Sequence, residues 1–129
     1  MESNIMIYLD THVVVWLFAD KDMLSKNARL FIEESHSIFI SPMVLLELDF
    51  LYEIQRITRG SQSVYDYLHD RIGLSLCEKP FSAVVQTASK QSWTRDPFDR
   101  LITSHAALDE NILLTRDEII RRNYPFAKW

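Results

Sequence analysis

Short apolar runs alternate with longer amphipathic stretches along the chain. Four of the apolar runs are typical of buried strands: IMIYL (5–9), SIFI (37–40), LSLC (74–77) and ILLT (112–115). Helical patterns lie around them, over about 11–18, 25–34, 42–57, 63–72, 80–91, 97–108 and from 117 onward. Strands that alternate with helices predict an α/β fold with a mainly parallel sheet.

Some of these elements carry more specific expectations. The pattern over 25–34 predicts that Leu30 and Phe31 point into the core. Proline favours the first turn of a helix, so Pro42 and Pro97 mark two helix starts. The run LSLC is expected to form an edge strand.

Composition narrows the class of protein. The 129 residues are 47% hydrophobic and 25% charged, which predicts one globular domain over 1–129. No basic segment leads into an apolar run of membrane-spanning length, so we expect a cytoplasmic protein. The single cysteine, Cys77, reads as a buried hydrophobe. Gly60 and Gly73 are the only glycines, which excludes Gly-rich phosphate loops and the GxSxG elbow.

Net charge bears on the partners of the chain. The formal charge of −4 argues against a broad basic surface for stable nucleic-acid binding. It leaves room for an enzyme that contacts nucleic acid through a bound cation.

Acidic residues occupy the positions where predicted strands end. Asp10 directly follows the first strand, and Asp117 lies two residues beyond the fourth. The carboxyl ends of parallel strands meet at one edge, which is where such sheets bind ligands. The helix that feeds the fourth strand runs antiparallel to it, so Asp96 and Asp99 begin at that edge. Glu47 lies in an early turn of the helix that leaves the second strand, so five carboxylates are expected to face one edge.

Such a cluster is unfavourable without a partner, because like charges raise one another's pKa values and repel. Oxygen ligands without His or Cys suit Mg²⁺ or Mn²⁺, ions that activate water and stabilise charge in phosphodiester cleavage. The residues therefore suggest a nuclease with one or two metal ions.

Each acid also has a structural alternative. Asp10, Asp96 and Asp117 each precede a predicted helix and could cap it. Glu47 could form a salt bridge, and Asp99 could be the third residue of the helix start. Asp49 lies about 200° round the helix from Glu47 and is expected to face elsewhere. Arg100 and Arg116 are each adjacent in sequence to one of these acids, and they could bind phosphates or pair with the carboxylates.

Several stretches together resemble PIN-domain proteins, specifically the VapC-type toxins of bacterial toxin–antitoxin pairs. They are IYLDTHVVVWL, SPMVLLEL, DPFDRLITSHA, LLTRDEII and the closing YPFAKW, in the expected order over nearly the whole chain. His12 and Trp16 belong to the first stretch, where they are expected to pack or orient rather than catalyse.

The resemblance implies a three-layer α/β/α fold and a Mg²⁺-dependent endoribonuclease site. It places the four family acids on Asp10, Glu47, Asp99 and Asp117, and leaves Asp96 open as a ligand or a helix cap. It also implies a homodimer and inhibition by a small antitoxin whose tail enters the acidic groove.

Two rival functions belong to other classes. The chain could be a catalytically silent module that acts by binding a protein partner. It could instead transfer phosphate on Asp10, but it lacks the second aspartate two positions later that one large phosphatase class uses.

Overall fold

A five-stranded parallel sheet forms the centre of the protein. The computed structural model describes residues 5–129. The strands are β1 (Met6–Leu9), β2 (Ser37–Ile40), β3 (Ser75–Leu76), β4 (Ile112–Leu114) and β5 (Ala127–Lys128). Their order across the sheet is β3-β2-β1-β4-β5, and every neighbouring pair is parallel. The edge position expected for LSLC is confirmed, because β3 lies at one end of the sheet.

Helices connect the strands. They are α1 (Thr11–Ala19), α2 (Lys26–Glu34), α3 (Pro42–Glu53), α4 (Ser61–Ile72), α5 (Phe81–Ala88), α6 (Pro97–Ala107) and α7 (Glu118–Asn123), with a 3₁₀ turn at Lys21–Met23. Connections between parallel strands are right-handed. This rule places the connections from β1 to β3 mainly on one face and those from β3 to β5 mainly on the other, and α3 and α6 contact each other across this division. This is the expected three-layer α/β/α fold.

The strand order reverses direction between β1 and β4. From β1 the chain moves outward through β2 to β3, then returns to β4 on the other side of β1. The carboxyl ends of these two central strands frame the crevice where open α/β sheets bind ligands. The backbone N–H of Asp10 donates to the Leu114 carbonyl at 3.0 Å, so both strands end at the same level.

Two expectations about individual elements were wrong, and one strand was missed. Helix α3 ends at Glu53 rather than near residue 57, because Gln55 adopts a φ of 62° and the Arg56 N–H turns back to the Leu51 carbonyl. Leu30 is 47% exposed, while Phe31 packs against the core as expected. The short strand β5 was not predicted, since two residues carry no alternating pattern.

Cys77 and Lys79 lie near the end of β3 and form polar contacts with other elements. Cys77 is buried as expected and accepts a hydrogen bond from the Tyr8 hydroxyl at 3.0 Å. Beside it, the Lys79 ammonium donates to the His105 carbonyl at 2.6 Å and to Asn111 Oδ1 at 2.7 Å. This partly buried lysine fixes the end of α6 to the loop that enters β4. Within residues 5–129, no helix combines the length and apolar character needed to cross a membrane.

Candidate active site

Three of the five acids are helix caps at the predicted edge of the sheet. Asp10 caps α1 by accepting from the Thr11 N–H at 2.8 Å. Asp96 caps α6 through the Phe98 and Asp99 N–H groups, and Asp117 caps α7 through those of Ile119 and Ile120. The capping alternative is therefore confirmed for all three. A cap uses one carboxylate oxygen, so it leaves the second oxygen of each available for other partners.

Two buried threonines connect the acids of different elements. The Thr115 hydroxyl donates to Asp10 Oδ2 at 2.7 Å and accepts from the Asp117 N–H at 3.1 Å. The Thr11 hydroxyl donates to Glu47 Oε1. These bonds link the ends of β1 and β4 to α3, so a continuous hydrogen-bonded chain runs from Asp117 through Asp10 to Glu47.

Contacts between α3 and α6 fix where Glu47 and Asp99 sit. The Phe50 ring of α3 lies 6.4 Å from the Phe98 ring of α6. At the other end of the contact, Ser41 Oγ, which caps α3, is 2.8 Å from Nδ1 of the buried His105. The two helices therefore run antiparallel side by side, and this packing brings the acids of both helices to the same crevice.

The electrostatics show that the acids are close enough to perturb one another. Burial raises the pKa of Asp99 to about 7, and the charges of Asp96, Asp10, Asp117 and Glu47 add to the increase. Burial is also the main cause of the raised pKa of Asp10, although bonds from Thr115 and Thr11 oppose it.

The pKa of Glu47 is likewise raised by burial, with Asp10 and Asp96 adding to it and the Thr11 hydroxyl opposing it. Asp99 is perturbed by four other acids, more than either Asp10 or Glu47. No hydrogen bond lowers its pKa, in contrast to those two residues.

Among residues 5–129 no ion pair joins a basic side chain to the cluster, and of the basic groups only the charge of His12 lowers the pKa values of Asp10 and Glu47. The ion pairs among residues 5–129 join Arg29 to Asp22, Lys79 to Asp109 and Arg122 to Glu118, none of them a cluster acid. Within the same residues Glu47 has no salt bridge, and neither Arg100 nor Arg116 pairs with a cluster acid. Such a group of oxygen donors has the chemistry of a hard-cation site.

The geometry limits how a cation would be held. In the described part of the chain, no three acidic, histidine or cysteine side chains are arranged to bind one metal ion together. A Mg²⁺ ion keeps several waters and takes one or two carboxylates directly, so it does not need such a set of side chains. A closed structural site such as that of zinc does need one.

The remaining predicted residues have clear positions. Arg100 Nε donates to the Thr94 carbonyl at 2.7 Å, so one edge of its guanidinium is used within the loop that precedes α6. Arg116 is exposed and lies between Thr115 and Asp117. Asp49 faces elsewhere as expected, since its carboxylate accepts from the Ser61 N–H and hydroxyl, both at 2.9 Å, at the start of α4.

Thr11 and Thr115 were missed as site residues from sequence. The available signal was their place beside acids at two strand ends, in LDTH and LLTRD. Threonine commonly caps helices, so only the fold shows that each hydroxyl bonds to an acid from another element.

Solved structures with the same fold come from bacterial VapBC and FitAB complexes. VapBC2 from Rickettsia felis, bound to a DNA fragment from its promoter, matches with a TM-score of 0.67 at 20% identity, over 97% of this chain and 99% of that one. DNA-bound VapBC from Salmonella typhimurium has a TM-score of 0.61 at 16% identity, covering 96% of both chains. FitAcB from Neisseria gonorrhoeae has a TM-score of 0.56 at 17% identity, covering 95% of both.

The family model for the PIN domain matches residues 7–124, which include all five acids. The chain belongs to the PIN domain family. No curated protein matches it in sequence. PIN domains are generally nucleases and usually use divalent metal ions, which supports a hydrolase of nucleic acids.

Proposed function

We propose that this chain is a Mg²⁺- or Mn²⁺-dependent endoribonuclease and the toxin of a type II toxin–antitoxin pair. The observation that carries the proposal is the cluster of five acids at the crevice between β1 and β4, none of which has an ion pair among the described residues. Membership of the PIN family supports the nuclease class. The toxin assignment rests on the VapBC structures and on the sequence motifs.

The proposed metal ligands are Asp10, Glu47, Asp99 and Asp117, with Asp96 as a further candidate. One or two ions would be held directly or through waters. When bound, such an ion activates water and stabilises the charge that develops on the phosphate. The site residues supply no side-chain nucleophile, and the proposed reaction needs none.

The residues of the chain have distinct roles in this proposal. Thr115 and Thr11 hold Asp10 and Glu47 in fixed orientations, because each hydroxyl donates to one carboxylate oxygen. Asp99, with a pKa of about 7, keeps a proton in part of the population at neutral pH, and a bound cation would displace it. Arg116, and with less freedom Arg100, would bind substrate phosphates.

Cleavage of RNA by the purified chain tests the proposal. With Mg²⁺ or Mn²⁺, the unaltered chain is expected to cut a mixture of cellular RNAs, and excess EDTA is expected to stop it. Asp10→Asn and Asp99→Asn should each lower the rate by about 100-fold or more, equivalent to about 3 kcal/mol of transition-state stabilisation.

A matched control separates site chemistry from the loss of a charge. Asp70→Asn removes an exposed carboxylate from the last turn of α4, away from the crevice, and should cut RNA at the unaltered rate. Cleavage that persists in EDTA, or that Asp99→Asn leaves intact, contradicts the proposed mechanism. A chain that never cuts RNA but binds a protein partner would instead be the silent interaction module.

The antitoxin part of the proposal has a surface that fits a helical partner. A cavity of about 210 Å³ lies between α1, the loop that joins α3 to α4 and the first turn of α4, and Val15, Phe18, Ile57 and Val64 are among the residues that line it. Apolar grooves of this kind bind amphipathic helices. Co-expression with the product of a short reading frame just upstream tests the assignment: the two proteins should co-purify and RNA cleavage should fall. Independent elution of two active, unbound proteins contradicts it.

The proposal also includes a homodimer, as the resemblance implies. Large apolar side chains are exposed on α3 and α5, where Leu46 is 56% exposed and Phe81 is 58% exposed. Light scattering on the purified chain should give twice the chain mass. A monomer mass at concentrations that support cleavage contradicts the dimer.

A further inference from the structure

Two aromatic rings and an arginine form a surface next to the acid crevice, which we call the aromatic rim: His12, Trp16 and Arg116. The His12 and Trp16 rings are 5.9 Å apart between centroids, and the Arg116 guanidinium carbon lies 5.8 Å from the Trp16 centroid. His12 and Arg116 are exposed, and Trp16 is partly exposed. The Trp129 ring also contacts Trp16, with 5.7 Å between the ring centroids.

The aromatic rim adjoins the acids because of where its residues lie in the chain. His12 is two residues beyond Asp10 and its charge lowers the pKa values of Asp10 and Glu47, which places it within electrostatic range of both. Arg116 lies directly between Thr115 and Asp117, so it is anchored on the other side of the same crevice. A substrate phosphate at the acids would bring its neighbouring nucleotides to this rim.

Core packing does not account for the whole aromatic rim. On α1, Val13, Val14 and Leu17 fill the core and are 6% exposed or less. Trp129 has a structural role, because it contacts Trp16 and its carbonyl accepts from Asn27 Nδ2 at 3.0 Å. Trp16 also packs against the core, but it is only partly buried, and with His12 one turn away it keeps exposed surface next to Arg116.

The chemistry of the aromatic rim matches an unpaired nucleotide. Stacking on an aromatic ring contributes about 1–3 kcal/mol per base and tolerates any base, and an adjacent arginine can bind the phosphate. A chain with a net charge of −4 gains little affinity from a general basic surface, so stacking is a physically suitable source of RNA affinity.

We propose that Trp16 stacks on an unpaired base of the RNA beside the cleaved bond, with Arg116 binding the adjacent phosphate. This inference rests on the proposed ribonuclease function and adds to it a residue that positions substrate. It predicts a preference for single-stranded RNA, because a base inside a duplex cannot reach the ring.

Binding of two short RNAs tests the role of Trp16. The probes are a fluorescein-labelled ten-nucleotide oligo(A) and the same sugar–phosphate chain without bases, with Ca²⁺ in place of Mg²⁺, followed by fluorescence anisotropy. Trp16→Leu should weaken oligo(A) binding about tenfold, equivalent to about 1.4 kcal/mol, and leave binding of the base-free chain unchanged. Trp16→Phe should retain most of the affinity. Arg116→Gln should weaken both probes alike.

The matched control is Tyr67→Leu. Tyr67 lies under the Arg71 guanidinium at 4.7 Å and contacts Phe18, so it is a similar aromatic–arginine pair on α4, away from the acids. This variant should bind both RNAs as the unaltered chain does. A measurement without any substitution guards against misfolding: 2-aminopurine placed in the oligo(A) should lose fluorescence on binding the unaltered protein, because stacking on tryptophan quenches it.

The outcomes separate this inference from the proposed function. Unchanged oligo(A) binding by a folded Trp16→Leu, or no quenching of 2-aminopurine in the complex, overturns the role of Trp16 even if RNA is cut. Base-dependent binding through Trp16 without any metal-dependent cleavage supports stacking on Trp16, but it contradicts the nuclease and, with it, the placement of the base beside a cleaved bond. A Trp16→Leu chain that binds RNA normally but no longer binds a protein partner assigns the aromatic rim to that partner instead.

Discussion

Replacing Asp99 by asparagine is expected to stabilise the metal-free protein at pH 8 while abolishing most of its activity. The cause lies in the surroundings of this carboxylate. Burial and four neighbouring acids raise its pKa from an ordinary value of 3.8 to about 7, so ionised Asp99 opposes folding. Asparagine has nearly the same shape and carries no charge, so the variant removes the repulsion.

The size of the effect follows from the pKa shift. Each unit is equivalent to about 1.4 kcal/mol, so the full shift has an upper limit of about 4 kcal/mol. Asp99 is only partly buried, and solvent screening reduces this to about 1–2 kcal/mol. Because the folded-state pKa is raised, the penalty is absent below pH 3.8, grows as the pH rises, and is complete above about pH 7.

Urea unfolding from pH 4.5 to 8.5 in EDTA measures this difference. The free energy of unfolding of Asp99→Asn, relative to that of the unaltered chain, should increase across that range. In thermal unfolding at pH 8, the melting temperature of the variant should be about 5 °C higher. Asp70→Asn is the control and should show no such trend. Added Mg²⁺ should stabilise the unaltered chain more than the variant, because a bound cation offsets the same repulsion.

Two results refute this reasoning. An Asp99→Asn chain that is less stable than the unaltered chain at pH 8 in EDTA would show that the carboxylate forms a net favourable interaction. A stability difference that stays constant between pH 4.5 and 8.5 would show that its pKa is not raised.

Three further substitutions probe the supports of the site and the fold. Thr115→Val removes the hydroxyl that bonds to both Asp10 and Asp117. It should lower the free energy of unfolding by about 1–3 kcal/mol and the rate of RNA cleavage by about tenfold or more. An unchanged rate of cleavage contradicts the positioning role of Thr115. Lys79→Met removes the donor to two acceptors at a partly buried site and should cost about 1–3 kcal/mol in urea unfolding, whereas an unchanged free energy of unfolding contradicts the role of this lysine. Gly73→Ala places a side chain at a φ of 70° with no atom within 4 Å of the new Cβ, so it should cost only about 1 kcal/mol, and a larger loss indicates a clash that the structure lacks.

The site could be placed from sequence because parallel strands share a carboxyl edge. Asp10 and Asp117 each follow an apolar strand, so identifying the strands was enough to bring the two acids together. Asp96 and Asp99 followed from the direction of the helix that begins at Pro97. Whether these acids bind metal or catalyse stays a prediction, as do the single domain, the dimer and the cytoplasmic location.

Features that depend on tertiary contacts could not be predicted. Thr115 reaches Asp10 across 105 positions of sequence, and nothing local distinguishes it from any threonine before a helix. The end of α3 depends on Gln55, which adopts a left-handed conformation that is uncommon outside glycine. Leu30 is hydrophobic enough for a buried face, but it lies on the side of α2 that faces solvent.

The central claim is that the crevice between β1 and β4 binds a divalent cation through its carboxylates. Electron paramagnetic resonance of added Mn²⁺ tests it directly, because the free-ion signal falls as the ion binds. The unaltered chain should bind one or two Mn²⁺ ions, and it should bind them more tightly at pH 8 than at pH 6. Asp10→Asn and Asp99→Asn should each weaken Mn²⁺ binding at least about tenfold, while Asp70→Asn should not weaken it. No loss of the free signal at millimolar Mn²⁺, or equal binding by the Asp99→Asn chain, would contradict the account.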